Sequence, residues 1–237
     1  MKTFYGKPVF GGIAVGEIRV LKKEEKNVHR SHIDDGEKEL KRLEKAVDET
    51  ITQLKQLYEK ALKEVGESGA AIFEVHQMML EDQGYQESIQ NMIMTQQVNA
   101  EYAVAVTADN FAGMFASMED AYMKERAADV RDISERLIGV LLEEEKKEIN
   151  ADVPVIIVAQ DLSPSETVQM DKSKVQSFVT RHGSTNSHTA ILARTMNVPA
   201  LIGLDYEDGI HGKIGIVDGF KGELIVNPTE EVLALYQ

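Results

Sequence analysis

Val179-Thr180-Arg181-His182-Gly183-Ser184-Thr185-Asn186-Ser187-His188-Thr189-Ala190-Ile191-Leu192-Ala193-Arg194 passes from β-branched residues through a polar turn into apolar residues at helical spacing. The run reads as strand, turn and helix, with Asn186 or Ser187 available as N-cap and the helix carrying Thr189 to Met196. His188 therefore falls at the helix start, where unpaired backbone N–H groups and the positive end of the dipole stabilise an anion. Taken alone, a histidine in that position serves packing more often than chemistry. An imidazole beside an anion site is nevertheless a good phosphoryl acceptor, because it is nucleophilic near neutral pH without first losing a proton.

Working outward, Val175 to Thr180 is a strand leading into this turn, and Ala200-Leu201-Ile202 is another beyond it. Upstream, Pro154-Val-Ile-Ile-Val-Ala159 has the composition of a buried strand. It precedes Ser163-Pro164-Ser165-Glu166, where an N-cap, a proline at the first helical position and a glutamate three after the cap make a strong helix-start signal. Ile214 to Val217 and Glu223 to Val226 flank Asp218-Gly219 as a hairpin, and Asn227-Pro-Thr-Glu230 starts a last helix. At the other end of the chain, alternation after Gly11-Gly12 predicts one or two strands before Lys22. Between these segments the composition changes: no proline occurs from Pro8 to Pro154, and Ala, Glu, Lys, Leu and Met dominate.

That middle block reads as amphipathic helices. Leu40, Leu43, Val47, Ile51, Leu54, Tyr58, Ala61 and Val65 form a stripe at threes and fours from about residue 35 to 65, which Gly66 and Gly69 end. A second helix spans 70 to 80 with Ile72, Val75, Met78 and Met79 on one side, and Gly84 interrupts before a short piece carrying Ile89, Met92 and Ile93. Asn99 is placed to cap a third helix, and a fourth runs from about 119 to 145. Strands and short helices on both sides of a helical block imply an α/β domain with a four-helix bundle inserted into it.

Composition bounds the partners. The 237 residues carry 43% hydrophobic side chains, enough for a core, and a formal charge of −14 that argues against nucleic acid and anionic membrane and favours a neutral or basic protein. No apolar run reaches transmembrane length, so no membrane insertion is expected, and Met1-Lys2-Thr3-Phe4 lacks the build of a signal peptide. The absence of cysteine excludes disulfides and thiolate metal sites and fits a cytoplasmic protein.

Ser187-His188-Thr189-x-Ile191-x-Ala193-Arg194, followed by Pro199-Ala200-x-x-Gly203, closely resembles the phosphohistidine signature shared by enzyme I of the phosphoenolpyruvate:sugar phosphotransferase system, pyruvate phosphate dikinase and phosphoenolpyruvate synthase. The helical segments Ala71 to Asp82 and Tyr122 to Ile133 resemble the amino-terminal half of enzyme I, and such an insertion singles out that family. The resemblance implies a swivelling phosphohistidine domain formed by residues 1–24 and 150–237, and a helical subdomain, 25–149, that docks the histidine-containing phosphocarrier HPr or an HPr-like carrier. It implies that His188 is phosphorylated, that the Ser163 hydroxyl stands where the family has a threonine pairing with that imidazole, and that Thr189, Gly183 and Arg194 complete the catalytic set. Ala71, Val75 and Met79, with Glu74, His76, Asp82 and Arg126, are the expected carrier contacts. The half that binds phosphoenolpyruvate and Mg²⁺ and dimerises in that family is not expected in these residues, so no cofactor or metal is assigned to them. Ser184 and Asn186 depart from the family pattern, which leaves open a docking module without chemistry or a paralogue serving a different HPr-like domain.

Other residues admit plainer readings. His29 and His32 could contribute to a metal site but lack a third ligand at fixed spacing, and read as a solvated pair. His182 neighbours the active loop, and His211 reads as a turn residue. Met78, Met79, Met92, Met94, Met114, Met118 and Met123 could line an adaptable groove, although most are expected in ordinary core. The run 143–148 reads as a solvated helix end. Gly183-x-Thr185-x-Ser187 superficially matches a serine-hydrolase elbow, but the helix begins with His188 and no triad acid is placed.

Overall fold

Side chains buried at threes and fours, Leu43, Ala46, Thr50, Leu54, Leu57, Ala61 and Val65, make one face of a 30-residue helix, α1, Gly36–Val65. In the middle of α1 this face is turned slightly from the expected stripe: Ala46, Thr50 and Leu57 are buried while Val47, Ile51 and Tyr58 are only partly covered. A buried threonine is tolerated there because its hydroxyl donates to the Ala46 carbonyl at 2.7 Å. The computed structural model describes residues 1–22, 28–143, 153–170, 172–183, 188–207 and 209–236. The chain divides into two units, residues 25–147 and residues 1–24 together with 148–237.

The helical unit continues with α2, Glu67–Leu80, α3, Gln83–Gln96, α4, Ala100–Ala116, and α5, Ala121–Leu141. Its described residues thus hold five helices rather than four. The difference lies at Gly84, which sits inside the first turn of α3 instead of interrupting a helix, because Asp82 caps that turn by accepting the Tyr85 N–H at 2.9 Å. The two glycines expected to end α1 also act differently. Gly66 takes φ +79° and breaks the chain, whereas Gly69 lies within α2, where a Cβ would come 2.4 Å from the Val65 side chain.

Asn99 stands at the N-cap of α4, but its amide does not cap the helix. It accepts from Ser31 N at 2.8 Å and donates to the His29 carbonyl at 3.1 Å, tying down the segment before α1. The Ala100 N–H is taken at 2.8 Å by Glu39 of α1. None of the seven methionines read as mostly core is fully buried, and Met78 is 71% exposed. Leu, Ile, Val, Ala and aromatic residues fill the interior, with Phe73, Tyr85, Ile89 and Leu137 at 2% exposure or less.

In the other unit Val155–Ala159, all apolar and buried throughout, is a central strand of one mixed sheet. Its strands are β1, Lys2–Tyr5, β2, Lys7–Phe10, β3, Ile13–Leu21, β4, Val155–Ala159, β5, Val175–Thr180, β6, Ala200–Ile202, β7, Ile214–Asp218, and β8, Glu223–Val226. The order is β1-β8-β7-β3-β4-β5-β6-β2, so the amino-terminal segment supplies three strands, not one or two. Strands β3, β4, β5 and β6 run parallel; the remaining pairings are antiparallel. Only Gly6 separates β1 from β2, yet these lie at opposite ends of the order, so the sheet curls enough to bring its two edge strands together at that residue. Ile18, Ile156, Val158, Val179, Leu201, Leu204 and Val217 fill the space inside the curl. Helices α6, Pro164–Gln169, and α7, His188–Met196, follow β4 and β5, and α8, Glu230–Tyr236, ends the unit.

Candidate functional site

Strands β4 and β5 are parallel neighbours, so the segments leaving them emerge at the same end of the sheet, where ligands of α/β proteins commonly bind. The ladder runs past the strands proper: Arg181 N donates to the Ala159 carbonyl at 3.0 Å and His182 N to Gln160 at 2.8 Å. After β4 comes α6, whose first turn is fixed by a reciprocal capping box. Ser163 Oγ accepts from Glu166 N at 3.3 Å, while Ser163 N donates to the Glu166 carboxylate at 2.8 Å, and Pro164 takes the first helical position.

After β5 comes α7, beginning at His188. Its buried face, Thr189, Ala190, Leu192 and Ala193, seats it in the unit. The helix closes on Asn197 in the left-handed conformation, φ +57°, with Val198 N donating to the Ala193 carbonyl at 3.0 Å and Asn197 N to Arg194 at 3.2 Å. These bonds fix the α7 end of the short connection to β6, and Phe178 N, donating to the Pro199 carbonyl at 3.2 Å, holds its other end.

A hydrogen bond links α6 to the start of α7. His188 Nε2 lies 3.0 Å from the hydroxyl of Thr167, not of Ser163. Ser163 was the expected partner, but its hydroxyl is engaged as the cap of α6, and Thr167, one turn further on the same side, meets the ring instead. The Thr167 hydroxyl also donates to the Pro164 carbonyl at 2.8 Å. A carbonyl can only accept, so that proton is committed, and Nε2 must be the donor to Thr167. In the neutral ring the lone pair then sits on Nδ1.

Thr189 is next to His188 and 3% exposed, and its hydroxyl has no hydrogen-bond partner among the described residues. Gly183 takes φ +123°, a conformation suited to glycine, just before residues 184–187. Those residues, including Ser184, Asn186 and the expected caps, lie outside the described part, as does the charge run from 144 onward. Arg194 is exposed towards the far end of α7, about 9 Å along the axis from His188. His182 is exposed; His211, also exposed, accepts from Val20 N at 3.1 Å. His32 lies 3.7 Å from Asp34, and among the described residues no three His, Asp or Glu side chains are grouped to hold a metal.

The candidate carrier contacts belong to the helical unit. Ala71, Glu74 and Asp82 are exposed, and Val75 and Met79 are partly exposed, with Met78 beside them. His76 is not a surface residue: its ring is completely buried, with Nε2 3.1 Å from Asp129 of α5. Helical spacing accounts for this, since His76 follows Phe73 by three and precedes Leu80 by four on the inward face of α2. Arg126 is mostly covered, its side chain 14% exposed and donating to Asp129 at 2.6 Å.

Comparison with known proteins places these features in a family. Residues 5–126 match the amino-terminal domain of PEP-utilising enzymes, and residues 151–222 match the mobile domain of PEP-utilising enzymes. The chain is 38% identical to the phosphoenolpyruvate-protein phosphotransferase of Priestia megaterium, covering 100% of this chain and 42% of that protein. It is 37% identical to the protein of that name from Bacillus subtilis strain 168, with the same coverage. The chain thus spans less than half the length of these curated relatives. A solution structure described as enzyme I (nEIt) superposes with a TM-score of 0.79 at 36% identity, covering 98% of this chain and 96% of that one. An amino-terminal domain described as enzyme 1, nitrogen, gives a TM-score of 0.62 at 27% identity, covering 99% and 98%. Among the described residues no helix is long and apolar enough to cross a membrane.

Proposed function

The chain belongs to the PEP-utilising enzyme family, as an amino-terminal domain of the enzyme I type, and on that premise we propose that it relays a phosphoryl group between His188 and the histidine of HPr or an HPr-like phosphocarrier in sugar uptake in the cytoplasm. The observation that carries this reading is the pairing of His188, at the start of α7, with the Thr167 hydroxyl at the carboxyl ends of two parallel strands. Residues 1–24 and 150–237 are assigned the phosphohistidine chemistry, and 25–149 the docking of the carrier.

In the transfer, a ring nitrogen of His188 attacks the phosphorus of the carrier's phosphohistidine. The new N–P bond forms as the carrier's own N–P bond breaks, and the electron pair of that bond returns to the carrier imidazole. The reverse reaction is symmetrical. Little covalent help is needed in such a loose transition state, so catalysis rests on alignment and charge stabilisation. The start of α7 supplies N–H groups and a dipole for the phosphoryl oxygens. Thr167 holds the unphosphorylated ring through the Nε2 proton; Nδ1 already carries the lone pair, and for Nε2 to be the attacking nitrogen that hydrogen bond must yield and the proton pass to Nδ1. No residue of this chain is assigned to phosphoenolpyruvate or Mg²⁺, which the reading gives to the remaining length of the relatives.

Incubating the chain with phosphorylated HPr tests the proposal. The expected result is acid-labile, base-stable phosphate on His188, and none after incubation with phosphoenolpyruvate and Mg²⁺ alone. Binding of HPr without any phosphate on the chain would reduce it to a docking module; phosphate taken directly from phosphoenolpyruvate would overturn the division of labour.

A further inference from the structure

The proposed phosphoryl chemistry makes no use of the one histidine that is completely buried. His76 of α2 sits between two carboxylates of α5: Nε2 is 3.1 Å from Asp129 Oδ1, and Nδ1, which has no hydrogen-bond partner, is 3.6 Å from Asp132 Oδ2. Fastening α2 to α5 would need only one such contact. The arrangement goes further, because the second oxygen of Asp129 accepts from Arg126 Nη1 at 2.6 Å, and the Arg126 guanidinium lies 4.2 Å over the ring of Tyr122. A continuous chain of contacts therefore leads from an imidazole with no exposure, through a carboxylate 11% exposed and a guanidinium 14% exposed, to a tyrosine 60% exposed.

Each link restricts the next. The Asp129 carboxylate is held at both oxygens by donors from different turns and different helices, so it cannot rotate to follow a moving arginine. Arg126 is fixed on one side by that carboxylate and on the other by the Tyr122 face, which leaves its outer edge as a pre-ordered donor set beside exposed aromatic surface. Covered arginines flanked by aromatic rings are the kind of group on which binding energy concentrates. We propose that His76 is a positioning residue for docking: acting through Asp129, it presets Arg126 to donate to an acceptor group, a carbonyl or carboxylate, on the carrier. This rests on the reading of the helical unit as the docking unit.

The test is a double-mutant cycle on the whole chain, measuring the Kd for purified HPr by calorimetry. Arg126→Ala should weaken binding. His76→Leu should weaken it about three- to tenfold, the cost of ordering one released arginine on binding. In the Arg126→Ala background the same His76→Leu change should alter Kd less than twofold, because nothing remains to be positioned. His76→Gln, whose amide can donate to Asp129 as Nε2 does, should restore most of the affinity. Should His76→Leu fail to fold, Asp129→Asn replaces it in the same cycle with the same expectation. Equal weakening in both backgrounds, or no weakening in a folded His76→Leu or Asp129→Asn chain, overturns the inference. So does unchanged affinity in Arg126→Ala while phosphate still reaches His188, which leaves the phosphohistidine reading standing. If HPr neither binds the parent chain nor phosphorylates it, the proposed function itself fails.

Discussion

The two units bury different kinds of polar group. Among the described residues of the α/β unit the covered polar side chains are hydroxyls, Ser165, Thr167, Ser177, Thr180 and Thr189, with Asp218 as the exception. In the helical unit they include His76, Glu101, Asp129 and Asp132 alongside Thr50, Thr107 and Ser134. A hydroxyl can be buried on one hydrogen bond and can give that bond up cheaply, which suits a site whose histidine must change partners. A buried charge demands a fixed counter-charge, which suits a surface that must keep its shape. Arg42 and Glu101 show the second principle. Burial works against ionisation of Glu101, yet the Arg42 guanidinium, the Glu101 backbone N–H and the Asn99 amide together hold its carboxyl below the ordinary range.

If that contrast is right, removing a counter-charge should cost more than removing a hydroxyl. Arg42→Met, which strands a mostly covered Glu101, should destabilise the helical unit by about 2 kcal/mol in denaturant unfolding, a figure reduced for the partial exposure of Arg42. Thr167→Ala should alter the rate of phosphate transfer by about tenfold or less without unfolding the α/β unit, as expected for one hydrogen bond of about 1 kcal/mol. Ser163→Ala should instead lower stability by about 1 kcal/mol through the lost cap, leaving the transfer rate almost unchanged. A rate effect larger for Ser163→Ala than for Thr167→Ala would reverse the assignment of the two hydroxyls.

The smallest effect is expected at the exception. Burial raises the Asp218 pKa, but the N–H groups of Lys221 and Phe220, the Tyr236 hydroxyl and the Lys221 ammonium outweigh it and hold the carboxyl below its ordinary 3.8. A depressed carboxylate stabilises the fold fully above its unfolded value, and that contribution is lost as the pH falls through the folded value. The drop in thermal midpoint between pH 7 and pH 3 should therefore be smaller in Asp218→Asn than in the parent chain. An equal drop would show that the Tyr236 and Lys221 contacts, which join α8 to the β7–β8 turn, carry no linkage.

The same contrast decides what the sequence discloses. The hydroxyl site is local: a cap signal at Ser163-Pro164 and a strand-turn-helix at His188 place two helix starts at the ends of adjacent strands. The cap signal does not disclose which hydroxyl meets the imidazole: Ser163 and Thr167 lie one turn apart on the same side of α6, and the pairing with Thr167 follows from where α7 is seated. The charge network is not local. His76 and Asp129 are 53 residues apart, Arg42 and Glu101 59, and no periodicity connects either pair. Helical spacing could have placed His76 inside, since it shares the face of Phe73 and Leu80, but not shown what it meets there. The fifth helix is hidden by Gly84, whose breaking tendency is overridden by the Asp82 cap, and the passage from one edge strand of the sheet to the other at Gly6 has no pattern around it.

The central claim is that chemistry and docking reside in separate units, and phosphate uptake per chain as a function of phosphorylated HPr concentration tests it most directly. His188→Ala should give a plateau of zero in a chain that still binds HPr, whereas Met79→Asp should raise the half-saturating concentration and leave the plateau near that of the parent. Phosphate on a folded His188→Ala chain, or a Met79→Asp chain with unchanged half-saturation and a lowered plateau, would contradict the account.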